Sequence, residues 1–178
     1  MNFTEDWFSH NIPNFQTCMS AIPEKKLFLE IGSYEGRSTC WLLKNGLSPK
    51  GSIVCVDPYG AEGFDKIEAR FWTNTNEAKG SNQVVSLMKM PSGSALVDML
   101  NFKYTFDFIY VDGDHSAVMA YADGTGAWKL LKQGGVMLFD DYLYPHEPTK
   151  EGIDKFLKDH EGQYDLILSN YQLAVQKK

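Results

Sequence analysis

The sequence predicts an α/β protein with a seven-stranded, mostly parallel sheet, helices on both faces and an antiparallel hairpin at the C-terminal end. Three observations carry that reading. Short runs rich in β-forming residues (27–31, 52–56, 83–88, 106–111, 136–139) alternate with segments of helical spacing, the pattern of a parallel sheet. The first run ends in a glycine loop, Gly32-Ser-Tyr-Glu-Gly36, that opens into a helical pattern near Ser38. The tail then changes period, with strand-like runs at 164–169 and 171–176 on either side of Ser169-Asn170.

Each element has a local reason. Residues 13–21 predict a short helix with Pro13 in its first turn, where a missing N–H does no harm. Trp7, Phe8, Ile12 and Phe15 give this N-terminal extension (1–24) apolar surface to pack onto the core (25–178). The helix at 37–45 stops at Gly46. Pro58 turns the chain after the second strand. Phe64, Ile67, Phe71 and Trp72 mark one side of a helix over 64–78, and the Phe71-Trp72 pair reads as packing. Ser92-Gly93-Ser94 leads into a short helix carrying Leu96, Val97 and Leu100. Residues 115–132 have helical spacing, weakened by Gly124 and Gly126 and ended by Gly134-Gly135. Ile153, Phe156 and Leu157 share a face of a helix at 150–159. There is no repeat, low-complexity stretch or evident linker, so the 178 residues read as one domain.

Composition excludes several classes. The net charge of −6 argues against a nucleic-acid partner, which needs a basic face. No apolar run approaches the length of a membrane span, and Glu5, Asp6 and Asn11 interrupt the place of a signal-peptide core. Cys18, Cys40 and Cys55 have neither disulfide nor zinc spacing; Cys40 and Cys55 read as buried thiols, and a reducing, cytoplasmic setting fits.

Ligands of such sheets bind at the carboxyl ends of the strands. Glu30–Gly32, Asp57, Asp112 and Asp140-Asp141 all fall at those ends, so four polar clusters converge on one rim. Strand, glycine loop and helix suit an adenosine-bearing cofactor, and the carboxylate of Asp57 suits a ribose diol. His10 and His160 read as surface, and His146 as a loop residue.

Four motifs in order, Leu29-Glu-Ile-Gly-Ser-Tyr-Glu-Gly-Arg-Ser-Thr39, Val56-Asp-Pro58, Val111-Asp-Gly-Asp-His-Ser116 and Gly134-Gly-Val-Met-Leu-Phe-Asp-Asp-Tyr142, resemble the class I S-adenosylmethionine-dependent methyltransferases. Within that Rossmann-like group the chain is most similar to the small methyltransferase 24 type, over roughly residues 7 to 175. The resemblance implies that Gly32, Ser33, Tyr34 and Gly36 line the methionine and ribose part of the cofactor, that Ser38 also binds it, and that Glu30 braces the loop or reaches the cofactor amine through water. It further implies that Asp57, followed by Pro58, holds the ribose, that Ser94 sits near the adenine, and that Asp112 faces the methionine end. Asp112, Asp140 and Asp141 also resemble the metal triad of catechol O-methyltransferase-like enzymes. Three hard oxygen ligands suit Mg²⁺ or another divalent cation, which would acidify an acceptor hydroxyl, and this resemblance makes His115 the candidate base. The implied activity is O-methylation of a small hydroxylated acceptor. A second copy of the chain completing the pocket is left open.

Other functions fit less of the pattern. A dinucleotide fingerprint needs a glycine where Tyr34 stands, and a triphosphate-binding loop needs a longer glycine spacing and a lysine where Arg37 stands. A metal-dependent hydrolase would use Asp112, Asp114, His115, Asp140 and Asp141 but leaves Asp57 and the glycine loop unexplained. A non-catalytic module that binds S-adenosylmethionine is the remaining alternative.

Overall fold

The computed structural model describes residues 1–60 and 64–178. Its sheet has seven strands: β1 (Leu27–Ile31), β2 (Ser52–Val56), β3 (Val84–Met88), β4 (Phe106–Val111), β5 (Leu131–Phe139), β6 (Tyr164–Ser169) and β7 (Leu173–Lys177). They lie in the order β3-β2-β1-β4-β5-β7-β6. The first five are parallel, and β7 runs antiparallel to both β5 and β6. Strand order reverses between β1 and β4, where a crevice opens at the strands' carboxyl ends.

Alternation along each strand divides the core in two. Phe28, Ile53, Cys55, Phe108, Val136 and Leu138 pack under α1 (Ile12–Ala21), α2 (Arg37–Asn45) and α3 (Phe64–Ala78). Leu29, Ile31, Val54, Val56, Ile109 and Met137 face α4 (Ser92–Asn101), α5 (Ala117–Trp128) and α6 (Thr149–Asp159). Full burial of each such side chain contributes about 1.5–3 kcal/mol. All three cysteines are buried and unpaired. Among the described residues no helix is long and apolar enough to cross a membrane.

The rim is built by backbone ladders that continue one residue past the strands. Gly32 N–H donates to the Val56 carbonyl, Asp57 to Met88, Asp112 to Ile31 and Asp140 to Val111, at 2.8–3.3 Å. These bonds fix three aspartates and the first loop glycine in one row.

Several boundaries differ from the sequence reading. α5 stops at Trp128, and β5 begins at Leu131 rather than at residue 136. The Gly134-Gly135 pair therefore lies inside β5 instead of ending a helix. Gly134 has φ +74° and the β4–β5 register shifts between Phe106 and Phe108, so the glycines form an irregularity that helical spacing concealed. α5 starts after Ser116, whose hydroxyl accepts the Met119 N–H, so His115 precedes the helix. Gly124 and Gly126 do not break α5; a Cβ at either would stand 2.8 Å from the Phe139 ring or 2.9 Å from Leu96. Phe8 and Phe15 are buried as expected, whereas Trp7 is 63% exposed. His160 is half-buried between Trp128 and Phe156.

Candidate active site

A cavity of about 950 Å³ opens above the row of aspartates. Gly32, Ser33, Tyr34, Ser38, Asp57, Pro58, Asp112, His115, Asp140 and Asp141, all singled out in the sequence, line it. Gly36 and Glu30 stand behind this wall, and Ser94 is exposed in the first turn of α4. Pro91 and Ser92 occupy the wall in the place expected for Ser94, because successive residues of a helical turn point in different directions.

The glycine loop is held from three sides. A Cβ on Gly32, which has φ +83°, would lie 1.7 Å from the Asp112 carbonyl oxygen. Gly36, at φ +78°, forms the left-handed N-cap of α2. Asp57 Oδ2 accepts the N–H groups of Ser33 and Tyr34 at 3.1 and 3.0 Å, and its Oδ1 accepts that of Tyr59 at 3.1 Å. Glu30 is fully buried and accepts the hydroxyls of Ser38 and Thr39. Burial pushes its carboxyl up to about 7, against the lowering effect of those hydroxyls. Glu30 is thus a brace between β1 and the start of α2. The Ser33 hydroxyl, buried on the cavity wall, has no hydrogen-bond partner among the described residues.

At the other end, Asp112, His115 and Asp141 bring one ligand atom each within 4.8 Å of one another. His115 Nε2 lies 3.4 Å from Asp141 Oδ2 and 3.8 Å from Asp112 Oδ1. Asp140, expected in this group, turns inward. Its carboxylate accepts from Tyr110 Oη, from Gln172 Nε2 at 3.0 Å, from the Asp141 N–H at 2.9 Å and, more weakly, from Asn11 Nδ2 at 3.4 Å. Asp141 takes a left-handed backbone conformation (φ +53°), and the Tyr171 hydroxyl donates to its Oδ1. Desolvation of the half-buried Asp112 carboxyl on the cavity wall, together with the charges of Asp140 and Asp141, holds it well above the usual carboxylate range.

The stretch from Leu29 to Tyr142, which spans the glycine loop and the whole row of aspartates, matches the family model described as a methyltransferase domain. The chain belongs to the class I S-adenosylmethionine-dependent methyltransferases. This methyltransferase is 24% identical over 169 residues to an Arabidopsis thaliana protein that carries the name caffeoyl-CoA O-methyltransferase, covering 93% of this chain and 67% of that one. Its fold matches an O-methyltransferase from Bacillus cereus in complex with S-adenosylhomocysteine, with TM-score 0.71, 22% identity, and 97% and 82% of the two chains covered. It also matches the S-adenosylhomocysteine-bound methyltransferase PaMTH1 of Podospora anserina, with TM-score 0.66, 20% identity, and 86% and 72% covered.

The methyltransferase's residues fit its cofactor. Asp57 and the unpartnered Ser33 hydroxyl offer acceptors on one wall. Carboxylates outnumber cationic side chains around the cavity, which suits a ligand bearing a sulfonium and an ammonium. Sequence reasoning missed the N-terminal wall: Glu5, Asp6, Trp7, Phe8 and His10 line the same cavity. Trp7 packs on Tyr34 with ring centroids 5.2 Å apart, and His10 packs edge-on to Tyr171 at 5.1 Å. Nothing in the local sequence announces these contacts, since each joins segments far apart in the chain. Tyr171 and Glu147 were missed for the same reason.

Proposed function

We propose that this methyltransferase moves the methyl group of S-adenosylmethionine to a hydroxyl oxygen of a small acceptor, with His115 receiving the acceptor's proton. The observation that carries the reading is the placement of His115 Nε2, which opens onto the same cavity as the glycine loop. Bound S-adenosylmethionine supplies a methyl already activated by its sulfonium. The protein holds that methyl and the acceptor oxygen in line, excludes water and takes up the proton. Tyr144, Tyr171 and His10 give the acceptor end of the cavity aromatic walls.

Two measurements test this. Calorimetric titration with S-adenosylhomocysteine should give micromolar binding, and no binding by folded, ligand-free protein would remove the reading. In a methyl-transfer screen over hydroxylated acceptors, His115→Ala should lower kcat by roughly 10²–10⁴-fold while leaving S-adenosylhomocysteine affinity unchanged.

The convergence of Asp112, His115 and Asp141 supports a second reading, in which a divalent cation such as Mg²⁺ assists. Such a cation would lower the pKa of an acceptor hydroxyl bound to it. Chelation separates the two: base catalysis by His115 survives EDTA, whereas the cation-assisted route loses turnover and regains it with Mg²⁺. In that second case Asp141→Asn should abolish the response to Mg²⁺. Asp140→Asn should retain that response and lower stability instead, because its carboxylate is occupied by internal donors.

A further inference from the structure

Glu147 lies in the β5–α6 connection, on the cavity wall and outside all four sequence motifs. Its Oε2 atom contacts His115 Nδ1. That oxygen is buried from solvent, and no hydrogen bond with full alignment reaches it among the described residues. Two residues on, the Thr149 hydroxyl donates to the His115 carbonyl at 2.9 Å. The chain entering α6 therefore grips His115 twice, at its backbone through Thr149 and at its ring through Glu147.

The chemistry of the two groups restricts the arrangement. A carboxylate oxygen only accepts, and one withdrawn from water against a ring nitrogen is stable when that nitrogen carries the proton. A proton on Nδ1 leaves the lone pair of a neutral imidazole on Nε2. Nε2 stands farther from its carboxylates, 3.8 Å from Asp112 Oδ1 and 3.4 Å from Asp141 Oδ2, than Nδ1 does from Glu147, and it makes no hydrogen bond to either among the described residues. We propose that Glu147 is a positioning residue that holds His115 in the Nδ1–H tautomer and aims the Nε2 lone pair at the acceptor end of the cavity. This rests on the reading of His115 as the group that meets the acceptor's proton or a cation. Which ring nitrogen is protonated is set by the partner of the other. Without a partner, imidazole favours the proton on Nε2, the wrong atom for either role.

The test is the ¹⁵N spectrum of ring-labelled histidine in the full chain at about pH 8, where an ordinary imidazole is neutral. With four histidines in the sequence, the His115 signals are identified by their loss in His115→Asn. Wild type should show a protonated Nδ1 and an unprotonated Nε2. Glu147→Gln, whose amide oxygen still accepts, should keep that pattern. Glu147→Ala should move the proton to Nε2. A wild-type His115 already protonated on Nε2, or an Ala variant with the wild-type pattern, would overturn the proposal. The wild-type spectrum decides even if the Ala variant does not fold. Failure to bind S-adenosylhomocysteine would instead strike the functional reading, because the tautomer is read without ligand.

Discussion

Glu30 is an acid buried beneath the glycine loop, and its cost depends on pH. Its carboxyl is raised to about 7 in the folded chain, so between the ordinary glutamate value and about 7 the folded state holds more protons than the unfolded one. Stability therefore falls as pH rises through that window, by a total of about 3 kcal/mol. Glu30→Gln should unfold at the same temperature as wild type near pH 4 and at a higher temperature near pH 8; a constant difference across that range would show that burial of the charge is not the cause. Gly32 makes a different point. The sequence marks it as a place where backbone approaches a ligand, yet its nearest neighbour is the Asp112 carbonyl. Gly32→Ala should destabilise by about 3 kcal/mol or more in urea unfolding, before any effect on the cofactor is reached. The motif was legible as a pattern; the reason for its first glycine was not, since that reason lies on β4.

Elements with a strong period of their own could be read directly. β1, β2, β4, α2 and α3 have the bounds that spacing predicts. β5 could not, because Leu130-Leu131 continues the apolar spacing of α5 while the glycines behind it look like a stop. What makes 131–135 part of a strand is non-local. Phe106 pairs with Leu131, and Asp107, nearly fully buried, accepts the N–H groups of Lys26 and Leu27 at 2.8 and 2.9 Å while pairing with Lys132. One side chain thus joins the starts of β1, β4 and β5, at the end of the sheet away from the cavity. Asp107→Ala should reduce stability by about 2–4 kcal/mol, measured by denaturant titration, and leave S-adenosylhomocysteine affinity within about twofold of wild type. A large loss of affinity at unchanged stability would contradict this division between framework and rim.

At the scale of the molecule, the first ten residues close one wall of the cavity. Glu35 accepts the Thr4 N–H and hydroxyl at 2.7 and 2.8 Å, and Arg37 Nε donates to the Glu5 carbonyl at 3.0 Å, so the glycine loop itself pins this segment down. Trp7, mostly exposed, rests on Tyr34 at the mouth. Trp7→Ala should weaken S-adenosylhomocysteine binding by about fivefold to tenfold with no change in melting temperature; unchanged affinity would place the ring outside the cofactor's reach. The opposite wall depends on the end of the chain. Tyr171 and Gln172, in the β6–β7 turn, hold Asp141 and Asp140, and β7 slots between β5 and β6. Asn14, in the first helix, bonds Asn170 and Gln172 across more than 150 residues. In synthesis β7 follows every other strand, so the side chains that hold Asp140 and Asp141 reach them only after the glycine loop and Asp57 have been made.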